Sequence, residues 1–288
     1  MTTVSSTLDP PITAAAVPRR RSGALGAVGV LARRRLSLSV RTPRELVIPV
    51  VTPLLFAIVI APALAKTFGV APGGIDYMTF VAVSTLGLLV PLSCVQSGLG
   101  ALVDRLSGAQ RDLLAAPVPR PLLVAGNYVV AVGLAGVQVV VVIGAATLRG
   151  ADFDVRGTGV AWFVAATACF AIAMYGVAEM LASRLPTQEE YIGALPPVAI
   201  VPYFFSGGLF PIHVLPAGLA VVAKLLPLTH VLALMRYGLC DPHGRGLHDI
   251  WGMSNVTEMA VLSFAVVVAF ALAATAASVR VFSRAAVS

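Results

Sequence analysis

The chain has 288 residues, of which 58% are hydrophobic and only 11% are charged. Soluble domains are typically about 45–50% apolar and about 25% charged, so this composition excludes a water-soluble domain, which would lack polar surface. The net charge of +7 comes from arginines in short segments between long apolar runs, which excludes a nucleic-acid-binding protein with one basic face. Membrane lipid is therefore the expected surrounding of the chain, with no nucleic-acid partner.

The N-terminal region is polar and basic before the first long apolar run. Residues 1–23 are rich in Ser, Thr and Pro and are predicted to form a disordered cytoplasmic tail. The short Gly-rich stretch after Arg19–Arg21 lacks a small-residue cleavage pattern, which disfavours a secretory signal. Residues 24–42 mix leucines and valines with Arg33–Arg35, a pattern typical of an amphipathic helix in the cytoplasmic interface. A plain basic linker is the alternative.

Six apolar runs are long enough to cross a bilayer, because about 20 apolar residues span its hydrocarbon core as a helix. They predict an all-α integral membrane fold with spans at residues 46–65, 78–101, 122–148, 158–183, 191–208 and 258–279. Residues 209–240 are also apolar but are interrupted by Pro211, Pro216 and Pro227, which predicts short re-entrant helices in the outer leaflet. Residues 285–288 are predicted to form a second cytoplasmic tail.

The basic residues predict the orientation of these spans. With the N-terminus in the cytoplasm, 14 of the 20 lysines and arginines lie inside and 6 lie outside, as the positive-inside rule requires. An even number of spans then places both termini in the cytoplasm. The preference for Arg over Lys and the abundance of Ala and Val favour a GC-rich bacterial genome, so we expect a multi-pass protein of a bacterial plasma membrane.

The loop between the second and third predicted spans, residues 104–120, has the sequence DRLSGAQRDLLAAPVPR. Its middle favours a short helix, which Pro117 and Pro119 would end. A short charged helix at the membrane surface suits docking to a cytosolic partner. Its expected apolar face contains Leu106, Leu113 and Leu114, and its expected solvated face contains Arg105, Arg111 and Asp112.

The segment after the fifth predicted span has a second distinctive pattern. Residues 204–211 read FFSGGLFP, and an LP pair at 215–216, the run PLTH at 227–230 and then Arg236 follow. This order is similar to the signature of ABC type-2 exporter permeases, most closely the daunorubicin-resistance group. The 104–120 loop likewise resembles the coupling helix of that family. The resemblance covers residues 24–284, and His230 stands where the family pattern leads us to expect an aromatic residue.

The resemblance implies a function and a set of site residues. It implies a dimer with a second copy or a related permease, each bundle resting on a cytosolic ABC ATPase. It also implies outward movement of an amphipathic or hydrophobic substrate such as a drug, an antibiotic or a lipid. The residues it assigns to ATPase coupling are Asp104, Arg105, Gly108, Arg111, Asp112 and Pro117. Those it assigns to an outer gate are Ser206, Gly207, Phe210, Pro211, Pro216, Pro227, Thr229 and Arg236.

Nucleotide chemistry is not expected in this chain. Its two lysines, Lys66 and Lys224, do not lie in the G-x-x-x-x-G-K-[ST] pattern with which a P-loop holds phosphates. We therefore expect no catalytic residue and no bound cofactor here, with ATP and Mg²⁺ held by a separate subunit.

Polar residues inside the predicted spans are candidates for a translocation path. Glu179 is ionisable at membrane depth and is a functional candidate on that ground, although an interfacial anchor is the simpler interpretation. Gln96, Asn127 and Gln138 are explained by interhelical hydrogen bonding, or else line the path. A proton-coupled secondary transporter that uses Glu179 is the alternative function, and a membrane anchor that transports nothing is a third.

The segment 240–249 carries several possible metal ligands in a Pro- and Gly-containing stretch. Their spacing matches no standard zinc pattern, so we expect no metal site and predict a solvated loop. The ligand-type residues of this segment are Cys240, Asp241, His243, His248 and Asp249.

Overall fold

The computed structural model describes residues 24–41, 70–71, 74–115, 119–209 and 211–285, with a few single positions between 51 and 66. Strands β1, Val70–Ala71, and β2, Ile75–Asp76, form a short antiparallel pair in which Val70 lies opposite Asp76. The rest of the described chain is mainly helical. Its α-helices are α1 Ala24–Arg41, α2 Tyr77–Leu106, α3 Ala109–Ala115, α4 Arg120–Leu148, α5 Gly157–Arg184, α6 Gln188–Gly193, α7 Val201–Phe205, α8 Ala217–Leu225, α9 Pro227–Leu239, α10 Arg245–Trp251 and α11 Val256–Ala285.

Four helices in the described part of the chain, α2, α4, α5 and α11, are long and apolar enough to cross a membrane. They confirm helices at the predicted spans 78–101, 122–148, 158–183 and 258–279. The pair α8 and α9, bent by 81° at its break, counts as a fifth candidate if it is taken as one span. Most of the predicted span 46–65 and the predicted tail 1–23 lie outside the described residues, as do residues 286–288 of the second predicted tail.

The α2 helix is the centre of the bundle. In an 18-residue apolar stretch of each long helix, 83% of the residues are buried in α2, compared with 39% in α4, 50% in α5 and 33% in α11. Asp76 caps the start of α2, because its side chain accepts a hydrogen bond from the Thr79 amide at 3.0 Å and so pairs an amide that has no partner within the helix. The α5 helix packs against α2, α9 and α11. At the crossing of α5 and α9, Gly159 and Gly238 lie so close that a Cβ on either one would overlap the other's carbonyl oxygen.

The fifth predicted span, 191–208, is divided into short helices. The α6 helix is followed by a π-helical turn, Pro196–Ile200, and then by α7. Proline has no amide hydrogen and disturbs the regular i to i−4 bonding, which explains why the helix loosens to a π-turn at Pro196 and Pro197. Short helices follow this segment, and Pro211, Pro216 and Pro227 each stand at the start of one. Their re-entrant arrangement in the outer leaflet stays a prediction.

The bundle has two chemically different ends. The arginine-rich end contains the C-terminal ends of α2, α5 and α11, the start of α4, and helix α3. The proline-rich end contains the opposite ends of those four long helices, together with residues 206–209, residues 211–216 and α10. The described residues predicted for coupling lie at the first end, and those predicted for the gate lie toward the second, except Pro227, which lies beside Pro91 and Phe270 near the middle of α2 and α11.

Candidate functional sites at the two ends of the bundle

Helix α3 projects from the arginine-rich end. The chain turns at Gly108, whose φ of 83° lies in the left-handed region that glycine adopts readily. All seven residues of α3 are described, and each of them is exposed or half-buried. Arg111 and Asp112 are exposed, as the sequence predicted. The helix therefore offers a short charged surface that the described part of the chain leaves uncovered.

Two contacts fix the end of α2, from which α3 projects. The Arg105 guanidinium donates a hydrogen bond to the Leu185 carbonyl, which joins the ends of α2 and α5. The Asp104 carboxylate pairs with Arg34 of α1 at 3.3 Å. The predicted division of faces is wrong at the end of α2, because Arg105 is half-buried and bonded to the end of α5, while Leu106 is 50% exposed. The turn at Gly108 separates Leu106 from α3, so these leucines do not share one helical face.

Arg35 of α1 enters the bundle at the same end, which sequence reasoning missed. It is 6% exposed and donates a hydrogen bond to the Ser97 carbonyl at 2.9 Å. Its guanidinium lies directly against Gly100, where any side chain would occupy the same space. Three consecutive arginines gave no indication of which one is buried. Pro117, also predicted for coupling, lies outside the described residues.

Glu179 of α5 is buried near the arginine-rich end. It is 2% exposed, and its carboxylate accepts a hydrogen bond from the Tyr175 hydroxyl at 2.7 Å. Glu179 and Asn127 line one cavity of about 30 Å³, which has room for about one water molecule. Gln138 is buried and Gln96 is half-buried, and neither lines that cavity. The structure thus brings together two of the four candidate path residues.

Arg236 of α9 organises the proline-rich end. It is 7% exposed, and its guanidinium donates hydrogen bonds to the Ser84 hydroxyl at 2.6 Å and the Gly207 carbonyl at 2.6 Å. A third bond, to the Gly208 carbonyl, measures 3.3 Å. The guanidinium also lies 4.0 Å from the centre of the Phe80 ring, a cation–π arrangement. One side chain thus joins α2, α9 and the 206–208 turn.

Four of the other predicted gate residues gather around this arginine. Ser206, Pro211, Thr229 and Arg236 line the same cavity, and Gly207 supplies a hydrogen-bond acceptor. Pro216 and Pro227 start helices and do not line it, and Phe210 lies outside the described residues. The sequence did not identify the partners on α2, Phe80 and Ser84, because nothing local in α2 distinguishes them from other residues of an apolar helix.

The segment 240–249 is not the solvated loop that was predicted. Residues Arg245–Trp251 form α10, which buries Leu247 and Ile250 against the bundle and so stays folded. Asp241 is buried and accepts a hydrogen bond from the Gly246 amide at 3.0 Å. Burial raises the pKa of the Cys240 thiol to about 12. Among the described residues, no group of three or more His, Cys, Asp and Glu side chains is arranged to hold a metal ion.

His230 also has a structural role that its neighbours define. Its ring is buried, with Nδ1 3.2 Å from the Ser263 hydroxyl and Nε2 3.0 Å from the Lys224 carbonyl. It packs at 5.6 Å between ring centres against Trp251. The imidazole therefore fills a site suited to a flat ring, which accounts for a histidine where an aromatic residue was expected.

The long apolar helices and the buried polar groups define a multi-pass helical membrane protein. Residues 26–240 match the family described as ABC-2 type transporter. The match covers most of the chain, which therefore belongs to the ABC-2 type transporter family and is a permease rather than a catalytic ATPase subunit. Among curated proteins, none matches the chain. The family implies association with an ABC ATPase partner.

Proposed function

We propose that this chain is the membrane-spanning subunit of an ATP-driven exporter in a bacterial plasma membrane. One transmembrane domain, residues 24–284, crosses the membrane six times with both termini in the cytoplasm and pairs with a second copy or a related permease. It moves an amphipathic or hydrophobic substrate, such as a drug, an antibiotic or a lipid, outward. A separate cytosolic ATPase holds the ATP and Mg²⁺.

The observation that carries this proposal is the exposed helix α3 on a fixed base. Arg111 and Asp112 present charge to solvent, while Asp104 and Arg105 attach the base of α3 to α1 and to the end of α5. A short helix held in this way transmits a displacement from a docked partner to the bundle. Charged groups at the edge of an interface mainly set partner choice and association rate.

The α2 helix is suited to transmit such a displacement from one end of the bundle to the other. It has 30 residues, so it is about 45 Å long at a rise of ~1.5 Å per residue. Asp104 lies near one end, and Ser84, bonded to Arg236, lies near the other. A displacement of α3 therefore reaches the Arg236 cluster through one helix, which is the physical connection that coupled transport requires.

Exchanging the charges on α3 is expected to abolish binding of the ATPase. The tagged chain, extracted in mild detergent, should retain a co-purifying ATPase, and the double variant Arg111→Glu, Asp112→Arg should lose it. The control variant Asp154→Arg, Arg156→Glu exchanges another pair of opposite charges, one half-buried and one exposed, at the proline-rich end and should retain the ATPase. ATPase activity of the eluate is the measurement. Equal retention or equal loss in the two variants would contradict docking on α3.

A second candidate is proton-coupled transport, which the burial of Glu179 and its bond to Tyr175 favour. We expect Glu179→Gln to keep ATP-driven transport, because the amide oxygen still accepts the Tyr175 hydrogen bond. The measurement is ATP-dependent uptake of a hydrophobic dye by inside-out vesicles in which an ionophore has collapsed the proton gradient. Uptake that needs the gradient and disappears in Glu179→Gln would favour the proton-coupled transporter instead.

A further inference from the structure

A cavity of about 410 Å³ lies at the proline-rich end, between the start of α2, Ser206, residues 211–213, α9 and α10. Small-molecule sites typically have about 300–1,000 Å³, so this volume suits a ligand larger than a single ion. We call it the arginine cavity, and its walls include Phe80, Ser206, Ile212, Arg236, Arg245 and Asp249. Because these walls combine charged and apolar groups, the cavity suits a ligand that is itself amphipathic.

Arg236 faces this cavity and forms no close ion pair among the described residues, although the Asp241 and Asp249 carboxylates of the same cavity attract its charge from farther away. Its protein hydrogen bonds go to a hydroxyl and two carbonyl oxygens, all of them neutral. None of the ion pairs in the described part of the chain includes it. A buried charge is costly unless it is paired. An anion in the cavity would therefore supply the direct ion pair that these neutral hydrogen-bond partners do not provide.

Neither acid in the cavity wall forms an ion pair with Arg236 or Arg245 among the described residues. Asp241 accepts the Gly246 amide hydrogen, and the Asp249 carboxylate lies 2.9 Å from Nδ1 of His213. Arg245 is exposed at the cavity wall and takes part in none of the ion pairs among the described residues. Two guanidinium groups are thus available to one ligand. Planar guanidinium groups bind phosphate oxygens in a paired, directional manner.

We propose that the arginine cavity binds a phosphate group carried by an amphipathic molecule, with Arg236 and Arg245 as its ligands. The apolar wall, which includes Phe80 and Ile212, accepts the carbon part next to the phosphate. A phospholipid has both the phosphate and the carbon part, whereas a free phosphate ion has only the charged part. The proposal goes beyond the permease function and does not depend on ATPase docking.

The test is calorimetric titration of the purified full chain in a non-ionic detergent with short-chain phosphatidylglycerol. Diacylglycerol with the same chains is the matched ligand without phosphate. We expect phosphatidylglycerol to bind at least about tenfold more tightly, since a charge-assisted bond of ordinary strength accounts for that factor. Inorganic phosphate that displaces the lipid would show that the free ion is also a ligand. Failure of inorganic phosphate to displace the lipid would show that the site needs the lipid headgroup. Both results would support phosphate binding in the arginine cavity.

Variants locate the bound phosphate. Arg245→Gln should weaken phosphatidylglycerol binding about tenfold while leaving the fold intact, because Arg245 is exposed; Arg236→Gln should weaken it further. Arg156→Gln removes an exposed arginine at the same end that does not line the cavity, and it should bind like the unmodified chain. Equal affinity for phosphatidylglycerol and diacylglycerol, or unchanged binding in Arg245→Gln, would overturn the proposal.

Discussion

Replacing Arg236 with glutamine is expected to destabilise the protein by about 2–4 kcal/mol, the combined cost of leaving several buried acceptors unsatisfied. The Ser84 hydroxyl and the carbonyls of Gly207 and Gly208 lose their shared donor, and Gln is too short and has too few donors to replace it. The measurement is the thermal unfolding midpoint in detergent micelles, followed by the fluorescence of Trp162 and Trp251.

Two further variants separate charge from geometry. Arg236→Lys keeps the charge but not the planar fork, so it should recover only part of the lost stability. Arg156→Gln removes an arginine whose side chain is 67% exposed and should change stability by less than about 1 kcal/mol. Arg236→Gln unfolding at the same midpoint as Arg156→Gln would contradict a joining role for Arg236.

The second large effect is expected at Arg35. Arg35→Gln should cost about 1.5–3 kcal/mol, the usual contribution of a hydrogen bond to a charged group. The reason is that the Ser97 carbonyl loses its buried donor and α1 loses its buried polar contact with α2. Because α1 also holds Asp104 at the base of α3, we expect ATPase binding to weaken as well. The same unfolding assay, combined with the ATPase pull-down, measures both.

The adjacent arginine provides a matched control. Arg34 pairs with Asp104, but its side chain is 37% exposed, so Arg34→Gln should cost less than about 1 kcal/mol. Gly100→Val tests the same contact from the other side, because its added side chain would displace the Arg35 guanidinium. If Arg34→Gln destabilised the protein as much as Arg35→Gln, burial of Arg35 would not explain the loss of stability.

The long helices were predictable because the bilayer imposes a minimum apolar length. The predicted span 158–183 and the helix Gly157–Arg184 differ by one residue at each end, and the predicted span 122–148 differs from Arg120–Leu148 by two residues at its start. The fifth predicted span was less regular because prolines interrupt its hydrogen bonding. Apolar length predicts that a helix forms, and it does not predict where proline loosens it.

The contacts that define the two ends were not predictable from local patterns. Arg236 and Ser84 are 152 residues apart, and Arg35 and Ser97 are 62 apart, so only the packing of the helices brings them together. At Arg105, local amphipathicity suggested a solvated side chain, but the Leu185 carbonyl at the end of α5 offered an acceptor. Where a turn separates two helices, a shared face inferred from spacing no longer applies.

The most direct test of ATPase docking on α3 is site-specific photo-crosslinking of the chain with its co-purifying ATPase. A photoreactive residue at position 111 should form a covalent product with the ATPase, because Arg111 is exposed on α3. The same residue at position 156, exposed at the proline-rich end, should form none. A product from position 111 alone would support a permease coupled through α3. A product from position 156, or none from position 111, would contradict it.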